Sequence, residues 1–310
     1  MGQGSTTYGK ALKHMKFILC SDWHLLLKNP EGRTDNAFET QWKKLRYIYN
    51  YAVEHEIETI LQAGDVFDKP RSWYLLDKWL SFFAARDSEE FPQLLTIYGQ
   101  HDTHFYSEST RGATVLGVLL RIANVNLLKS WTPAQRSWSG GGVDVYGCSY
   151  GEDLPEVKNK GSRITNILVI HKEITPEKMW EGQEAIYAPK FLNTHPEFDL
   201  ILCGDIHRTF KFASSDGKRF IVNTGPLLRR EATIYNYTHK PGFWVYDAKK
   251  KLLSSYKVIP HEKAEEVLTR AHLDKKELVN KKLSKFIEAV KKAQSKSGVG
   301  LKADFKTNLM

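Results

Sequence analysis

The chain has 310 residues, of which 41% are hydrophobic and 26% are charged, a composition that excludes a disordered tail and suffices for a sizeable core. No apolar run approaches the roughly 18 residues of a membrane span, and residues 1–14 lack the apolar stretch of a secretory leader. Three cysteines are too few for a disulfide framework, so we expect a cytoplasmic protein. The net charge of +9 permits a polyanionic partner such as DNA without establishing one.

The first part of the chain alternates strand and helix patterns, after an extension at residues 1–14 that shows no periodicity. The predicted strands are residues 16–20, 59–62 and 94–98, and the predicted helices are residues 38–52, 73–83 and 114–122. Strands that alternate with helices indicate an α/β sheet covered by helices on both faces.

Beyond residue 125 the pattern changes to short strands, with one helix at residues 186–192. These strands are predicted at residues 143–146, 164–170, 200–203, 220–223, 243–246 and 253–259. From residue 262 to 294 the pattern is helical and rich in lysine, and residues 261–310 hold 12 Lys and Arg against 7 Asp and Glu. We therefore divide the chain into an extension (1–14), a main domain (15–260) and a Lys-rich helical region (261–310).

Polar clusters follow five of the predicted strands, at the point where each strand ends. They are Ser21-Asp22-Trp23-His24, Gly64-Asp65-Val66-Phe67-Asp68, Gly99-Gln100-His101-Asp102, His171 and Gly204-Asp205-Ile206-His207. Any one of them alone is more typical of a turn or a helix cap. Five at strand ends, all offering oxygen or imidazole donors, instead match the ligands that a pair of divalent cations requires.

The order and spacing of these clusters over residues 15–210 resemble the motif series of the calcineurin-like metallophosphoesterases. Within that superfamily, residues 64–72 and 223–230 most resemble the SbcD-type double-strand-break repair nucleases and their phage recombination counterparts. The resemblance implies an α/β phosphoesterase sandwich, in which helices flank two β-sheets, with a short C-terminal helical extension.

The resemblance also implies a role for each motif residue. The implied metal ligands are Asp22, His24 and His207 for the first ion, Asp65 for both ions, and Gln100, His171 and Asp205 for the second ion. His101 would protonate the leaving oxygen, and Asp102 would orient the His101 ring. Asp68 stands where some relatives have a histidine linked to exonuclease action, so that role is not transferred.

Two implied ligands depart from the usual pattern of the family. Gln100 stands where an asparagine is usual, and Asp205 stands where a histidine is usual. Glutamine keeps the amide oxygen on a side chain that is one methylene longer, and aspartate replaces a neutral imidazole with a charged oxygen. The second site is therefore harder and more anionic, which favours Mn²⁺, or else Mg²⁺, over Zn²⁺.

The implied function is a metal-dependent DNA exo- or endonuclease in end processing, recombination or repair, acting beside an SbcC-type coiled-coil ATPase. The expected DNA contacts are Arg71, Arg208, Arg229 and Arg230. Two alternatives stay open: a phosphodiesterase or phosphatase for small substrates, and a non-catalytic DNA-binding scaffold with a degenerate metal site. An apolar stripe in the Lys-rich region, which includes Leu283 and Phe286, packs on its own domain or binds a partner helix. A homodimer is a further open alternative.

Overall fold

Two β-sheets pack face to face, and helices cover their outer surfaces. The computed structural model describes residues 15–84, 91–122, 124–138, 141–158, 161, 163–179, 181–183 and 185–297. The predicted extension at residues 1–14 and residues 298–310 lie outside the described residues. The architecture confirms the predicted α/β phosphoesterase sandwich.

The bounds of the elements follow the chain. The strands are β1 (Lys16–Cys20), β2 (Thr59–Gln62), β3 (Gln93–Thr96), β4 (Val125–Leu127), β5 (Thr132–Trp138), β6 (Gly141–Cys148), β7 (Ile164–His171), β8 (Ile174–Thr175), β9 (Ile186–Tyr187), β10 (Leu200–Gly204), β11 (Thr209–Ala213), β12 (Phe220–Thr224), β13 (Gly242–Asp247), β14 (Leu252–Leu253) and β15 (Lys257–Val258). The helices are α1 (Ala37–Glu54), α2 (Trp73–Ala84), α3 (Val115–Ile122), α4 (Ala188–Thr194), α5 (Ile234–Thr238), α6 (Ala264–Val267) and α7 (Ala271–Ser297). Short 3₁₀ helices span Gln100–Asp102 and Glu108–Ala113, and the residues His104–Tyr106 between them form a turn.

The two sheets are mixed, but the strands that carry the polar clusters are parallel within each sheet. The first sheet has the order β14-β13-β1-β2-β3-β4, in which β13 is antiparallel to β1 and β1 to β4 are parallel. The second sheet has the order β11-β12-β10-β7-β6-β5, with antiparallel strands at both edges. The carboxyl ends of β1, β2 and β3 therefore lie at one edge of the first sheet, and those of β7 and β10 at one edge of the second.

Alternation of side chains along the strands builds the core. In β1, Phe17 and Leu19 belong to the apolar cluster between the sheets, whereas Ile18 and Cys20 belong to the cluster beneath the helices. A strand buried on both faces reads as a continuous apolar run, which is why β1 was predictable from sequence. Helix α1 begins at the N-cap Asn36, whose side chain accepts a hydrogen bond from Glu39 N, and its apolar residues at three- and four-residue steps face the sheet.

Several elements differ from the sequence-based expectations. Strands β4, β5 and β11 were not predicted, because they are short or lie at a sheet edge where side chains need not be apolar. The predicted strand at residues 253–259 is two short strands, β14 and β15, which both pair with β13. The predicted helix at residues 262–294 is interrupted between α6 and α7, where Leu268 pairs with Arg33 in an isolated bridge.

Helix α7 presents its apolar stripe to solvent. Its larger apolar side chains at residues 278, 283, 286, 287 and 290 are each at least 38% exposed. Of the two expectations for this stripe, packing on its own domain is therefore wrong for the residues that the structure describes. Within the same described ranges, no helix combines the length and the apolarity that a membrane crossing requires.

Candidate metal centre

The motif residues meet at one end of the sandwich. Asp22 and His24 follow β1, Asp65 follows β2, and Gln100 follows β3. His171 is the last residue of β7, and the segment containing Asp205 and His207 follows β10. Because these strands end at the same edge of the two facing sheets, residues far apart in sequence converge on one site.

The backbone at this site is held in an unusual conformation. Asp22, His24, Asp65 and Asp205 have φ angles of 46°, 42°, 52° and 87°, in the left-handed region that L-residues rarely adopt. Such a conformation costs each residue about 1–2 kcal/mol, so the surrounding structure must impose it. Hydrogen bonds between the loops do so: His24 N donates to Asp65 O and Leu25 N donates to Val66 O, both at 2.9 Å.

The first group of expected ligands is assembled. One ligand atom from each of Asp22, His24 and His207 lies within 4.8 Å of the other two. His24 Nε2 lies 2.9 Å from His207 Nε2 and 3.4 Å from Asp65 Oδ2. Two imidazoles and two carboxylates can therefore reach one cation in the space between them.

The second group centres on His171, with Gln100 in an unexpected arrangement. His171 Nε2 lies 3.5 Å from Asp65 Oδ2 and 2.6 Å from Gln100 Oε1. Gln100 Nε2 donates to Asp205 Oδ1 at 2.7 Å. A further ligand group contains Asp22, Asp65 and His171 but not Asp205, so Asp205 reaches this site through the Gln100 amide.

Asp65 occupies the position between the two groups. Its Oδ1 accepts a hydrogen bond from His101 N at 2.8 Å, and its Oδ2 faces both His24 and His171. Gly99 packs so closely on Asp65 that any Cβ at residue 99 would collide with the carboxylate. The geometry accords with the bridging role implied for Asp65.

In the metal-free centre, the ionised carboxylate of Asp65 faces a protonated imidazole, that of His171. Burial raises the pKa of Asp22 to about 7, and the negative charge of Asp65 adds to the rise. Burial opposes ionisation of Asp65 as well, but the nearby imidazoles of His171 and His24 outweigh it and lower the Asp65 pKa. Burial likewise disfavours the charged form of His171, yet Asp65 and Asp22 raise its pKa to about 10. Metal binding must therefore displace a proton from His171.

The donor set fits divalent cations. Asp22 Oδ2, Asp65 Oδ2 and His24 Nδ1 are buried and lack a hydrogen-bond partner among the described residues. Buried carboxylate oxygens without a partner are unfavourable, and a cation coordinated by them supplies the missing interaction. The centre therefore suits divalent metal ions held by a cluster of His and Asp residues.

The orientation of His101 differs from the expectation. The two carboxylate oxygens of Asp102 accept hydrogen bonds from the backbone N–H groups of Val66, Phe67 and Gly99, at 3.0–3.2 Å. Asp102 therefore joins two loops and does not orient the His101 ring, which corrects the role assigned to it. The ring is instead placed by His101 Nδ1, 3.1 Å from the carbonyl oxygen of Asp68. One ligand atom of His101 also lies within 4.8 Å of ligand atoms of His24 and Asp65, so the ring faces the metal centre.

Three of the four predicted arginines remain accessible. Arg71 is exposed, the Arg208 guanidinium lies 4.0 Å from the centre of the Tyr235 ring, and Arg230 Nη1 pairs with Asp68 Oδ1 at 2.7 Å. Arg229 is buried and donates to the carbonyl oxygen of Glu262, so the expectation that it contacts DNA is wrong.

A buried group of cations supports the turn at residues 225–230. Arg33 Nη1 donates to Arg229 O at 2.9 Å, and Lys44 Nζ donates to Leu227 O at 3.1 Å. Burial lowers the pKa of Lys44 to about 7, and the positive charges of Arg33 and Arg229 contribute. The acidic groups that face Lys44 are Glu262 and Asp35.

Sequence reasoning missed residues that hold the ligand loops in place. Ser21 N donates to Thr224 Oγ1 at 2.8 Å, and Ser21 Oγ donates to Asn223 Oδ1 at 3.0 Å. The buried Gln62 side chain bonds to both N and O of Gly64, at 2.9 and 2.7 Å. A glutamine at the end of an otherwise apolar strand was the available signal for Gln62, whereas the contacts of Ser21 depend on a distant part of the chain.

Comparison with known proteins gives a family match and several structural similarities. The family model described as calcineurin-like phosphoesterase matches residues 15–209. No curated protein matches the chain significantly. TT1561 of Thermus thermophilus is 13% identical, with 80% of this chain and 100% of that chain covered and a TM-score of 0.46. GAP50 of Plasmodium, described as the anchor in the inner membrane complex, is 12% identical, with 80% and 90% covered and a TM-score of 0.47. Vps29 from Entamoeba histolytica, complexed with Zn²⁺, is 9% identical, with 77% and 89% covered and a TM-score of 0.36.

Proposed function

Since the chain belongs to the calcineurin-like phosphoesterase family and carries a His/Asp metal centre, we propose that this metal-dependent phosphoesterase is a DNA nuclease. It would hydrolyse phosphodiester bonds in DNA during end processing, recombination or repair. The observation that carries the proposal is the placement of Arg230, which is part-exposed and pairs with Asp68 next to His24 and His101. A guanidinium there suits the phosphates that flank a scissile bond in a polymer.

The proposed chemistry divides the site residues into two roles. Asp22, His24 and His207 would hold one cation, Asp65 would contact both, and Gln100 and His171, supported by Asp205, would hold the other. Two bound divalent cations lower the pKa of water and neutralise charge on the phosphoryl oxygens. With its Nδ1 directed to a carbonyl oxygen, His101 would donate a proton from Nε2 to the departing ribose oxygen.

The donor chemistry supports Mn²⁺ as the metal, with Mg²⁺ as the other candidate. The amide oxygen of Gln100 supplies a hard donor next to His171, and Asp205 adds negative charge behind that amide. Oxygen donors favour Mn²⁺ and Mg²⁺, whereas the histidines retain affinity for Mn²⁺ over Mg²⁺.

Helix α7 supports a polymeric substrate and a protein partner. Lys281, Lys282 and Lys285 are exposed on it, and its apolar stripe is exposed as well. The lysines would add contacts to the DNA backbone, since each phosphate neutralised releases counterions. The stripe would dock on an SbcC-type coiled-coil ATPase, as an amphipathic helix does in a groove of its partner.

The proposal is tested by incubating the protein with labelled linear, circular and single-stranded DNA, each with Mn²⁺, Mg²⁺ or a chelator. We expect cleavage with Mn²⁺ and none with the chelator. A parallel assay follows hydrolysis of bis(4-nitrophenyl) phosphate. Turnover of this small diester without binding or cleavage of any DNA would contradict the nuclease and support a small-substrate phosphodiesterase. DNA binding with neither activity would support a non-catalytic scaffold.

The contribution of α7 is tested through the salt dependence of DNA binding. About five phosphate contacts give a slope of log affinity against log salt near −4.5. Replacing Lys281 and Lys282 with Gln should reduce the magnitude of that slope by about 2. The matched control replaces Lys249 and Lys250, which follow β13 at the end of the first sheet away from the metal centre, and should leave the slope unchanged. Equal slopes for both variants would remove α7 from the DNA interface.

A further inference from the structure

The loop that follows the metal ligand Gln100 carries two aromatic residues on a strained turn. Phe105 and Tyr106 have φ angles of 53° and 55°, and the turn is closed by a 3.0 Å hydrogen bond from Ser107 N to His104 O. Positive φ at both central positions is the pattern of a type I′ turn, in which Gly, Asn and Asp are preferred. Bulky L-residues are unfavourable there.

The core does not explain this choice of residues. Phe105 is 94% exposed and Tyr106 is 67% exposed, so neither ring gains the burial that would offset an unfavourable backbone. Strained residues persist where the surrounding structure imposes them, and they cluster at functional sites. Exposed aromatic residues on a strained turn therefore indicate a binding role for Phe105 and Tyr106.

The turn is fixed relative to a second aromatic loop. The Thr110 hydroxyl accepts from His104 N at 2.9 Å and donates to Ser107 O at 2.7 Å. Arg111 then crosses to the neighbouring loop, where its Nη1 pairs with Glu152 Oε1 at 2.6 Å and its Nη2 donates to Tyr150 O at 3.3 Å. These contacts tie the loop that carries Phe105 and Tyr106 to the loop that carries Tyr150.

This surface continues into the metal centre. The ring of Tyr106 lies 6.3 Å from that of Tyr150, which in turn lies 6.4 Å from the imidazole of the metal ligand His171. Tyr150 is itself 39% exposed. The aromatic rings therefore lead from a ligand of the second metal out to solvent.

We infer that Phe105, Tyr106 and Tyr150 form a stacking surface for unpaired nucleobases of the strand whose phosphate lies at the metal centre. The inference rests on the proposed nuclease function and specifies its substrate as a strand with accessible bases. Aromatic rings stack on any base without sequence preference, and the metal centre fixes the phosphate from which the neighbouring bases extend.

The test compares two single-stranded oligonucleotides of equal length with non-hydrolysable phosphorothioate linkages, one carrying bases and the other abasic. Affinities are measured by fluorescence anisotropy with Mn²⁺ for the wild-type chain and for the double variant Phe105→Asn, Tyr106→Gly, which places preferred residues in the turn. We expect the wild type to bind the base-bearing strand at least fivefold more tightly than the abasic strand, and the variant to lose most of that preference. The variant should melt at the same or a higher temperature, because its turn is relieved of strain. The single variant Tyr106→Phe keeps the ring and should keep the preference.

Each outcome decides the inference. Equal affinity of the wild type for both strands would overturn the stacking surface and leave the nuclease intact. An equal loss of affinity for both strands in the double variant, or a lower melting temperature, would assign the aromatic residues a structural role. Failure to bind either strand would overturn the stacking surface, and cleavage of double-stranded DNA in the assay described above would then show that the nuclease stands without it.

Discussion

The contact between Gln100 and Asp205 predicts that the two departures from the family pattern compensate for each other. Gln100 is one methylene longer than the usual asparagine, and Asp205 is shorter than the usual histidine. The Gln100 amide spans the resulting gap, with Nε2 on Asp205 and Oε1 on His171. We therefore expect Gln100→Asn and Asp205→His to weaken the second metal site when made singly, and the double variant to bind metal nearly as well as the parent.

The magnitude follows from the hydrogen bond that joins the pair. A hydrogen bond to a charged group contributes about 1.5–3 kcal/mol. The shorter amide introduced by Gln100→Asn could not reach Asp205, and Asp205→His would remove the charged acceptor, so each change should lower the affinity of the second site about 10- to 150-fold. The double variant should recover all but a few-fold of that loss, which gives a coupling energy in the range measured for residues in contact.

The assay is a calorimetric titration of the metal-free protein with Mn²⁺, together with the metal content after dialysis. Losses that simply add in the double variant would refute the compensation, because they would show that the two side chains act independently. The double variant restores the commoner ligands, and it should also shift preference from Mn²⁺ towards softer ions such as Zn²⁺. An unchanged preference would refute the argument from donor hardness.

Three further predictions concern the centre and its support. Asp65→Ala should abolish activity and bound Mn²⁺ together, whereas His101→Ala should abolish cleavage with metal content retained; loss of both metals from the His101 variant would make that residue a ligand. Gly99→Ala should mimic Asp65→Ala in metal analysis, because its methyl group collides with the carboxylate, while Gly161→Ala, which has open space, should bind metal normally. Lys44 has a pKa lowered to about 7 in the folded chain, so the unfolded chain binds the extra proton between pH 7 and 10 and the wild type gains stability as pH rises. Between pH 7 and pH 9, the free energy of unfolding of the wild type, measured with denaturant, should rise by about 2 kcal/mol more than that of Lys44→Met. The same pH dependence in both proteins would show that the Lys44 amine is solvated in the folded chain.

Local sequence patterns were enough to predict those strands and helices whose formation depends on a short stretch of residues. After Lys16, strand β1 is an apolar run, and β2 has the apolar centre Ile60-Leu61. The polar residues that follow each strand indicate the edge of the sheet at which ligands converge. The convergence of Asp22, Asp65 and His171 follows from that edge. The left-handed backbone of Asp22 and Asp65 does not, since it depends on hydrogen bonds between loops that are distant in sequence.

Residues with the same local appearance proved to have different roles because of tertiary contacts. Arg229 and Arg230 are adjacent and equally basic in sequence, yet one is buried beneath its turn and the other faces Asp68 at the centre. Asp102 lies next to His101, but its carboxylate turns to three backbone N–H groups. Neither outcome could be predicted without knowing which loops pack together.

The hydrogen bonds that join Ser21 to the segment after β12 have a consequence for the order in which the nascent chain folds. Ser21 and Thr224 are 203 residues apart, and Leu227 N also donates to Asp22 O. A nascent chain released from the ribosome at about residue 210 would already contain every metal ligand, including His207, but neither these contacts nor β13 beside β1. Asp22 would then stand on an unsupported loop at the edge of an incomplete sheet. We therefore expect the metal centre to assemble only after the segment around Thr224 and strand β13 have been synthesised, and chains that terminate near residue 210 to carry the ligands without the site.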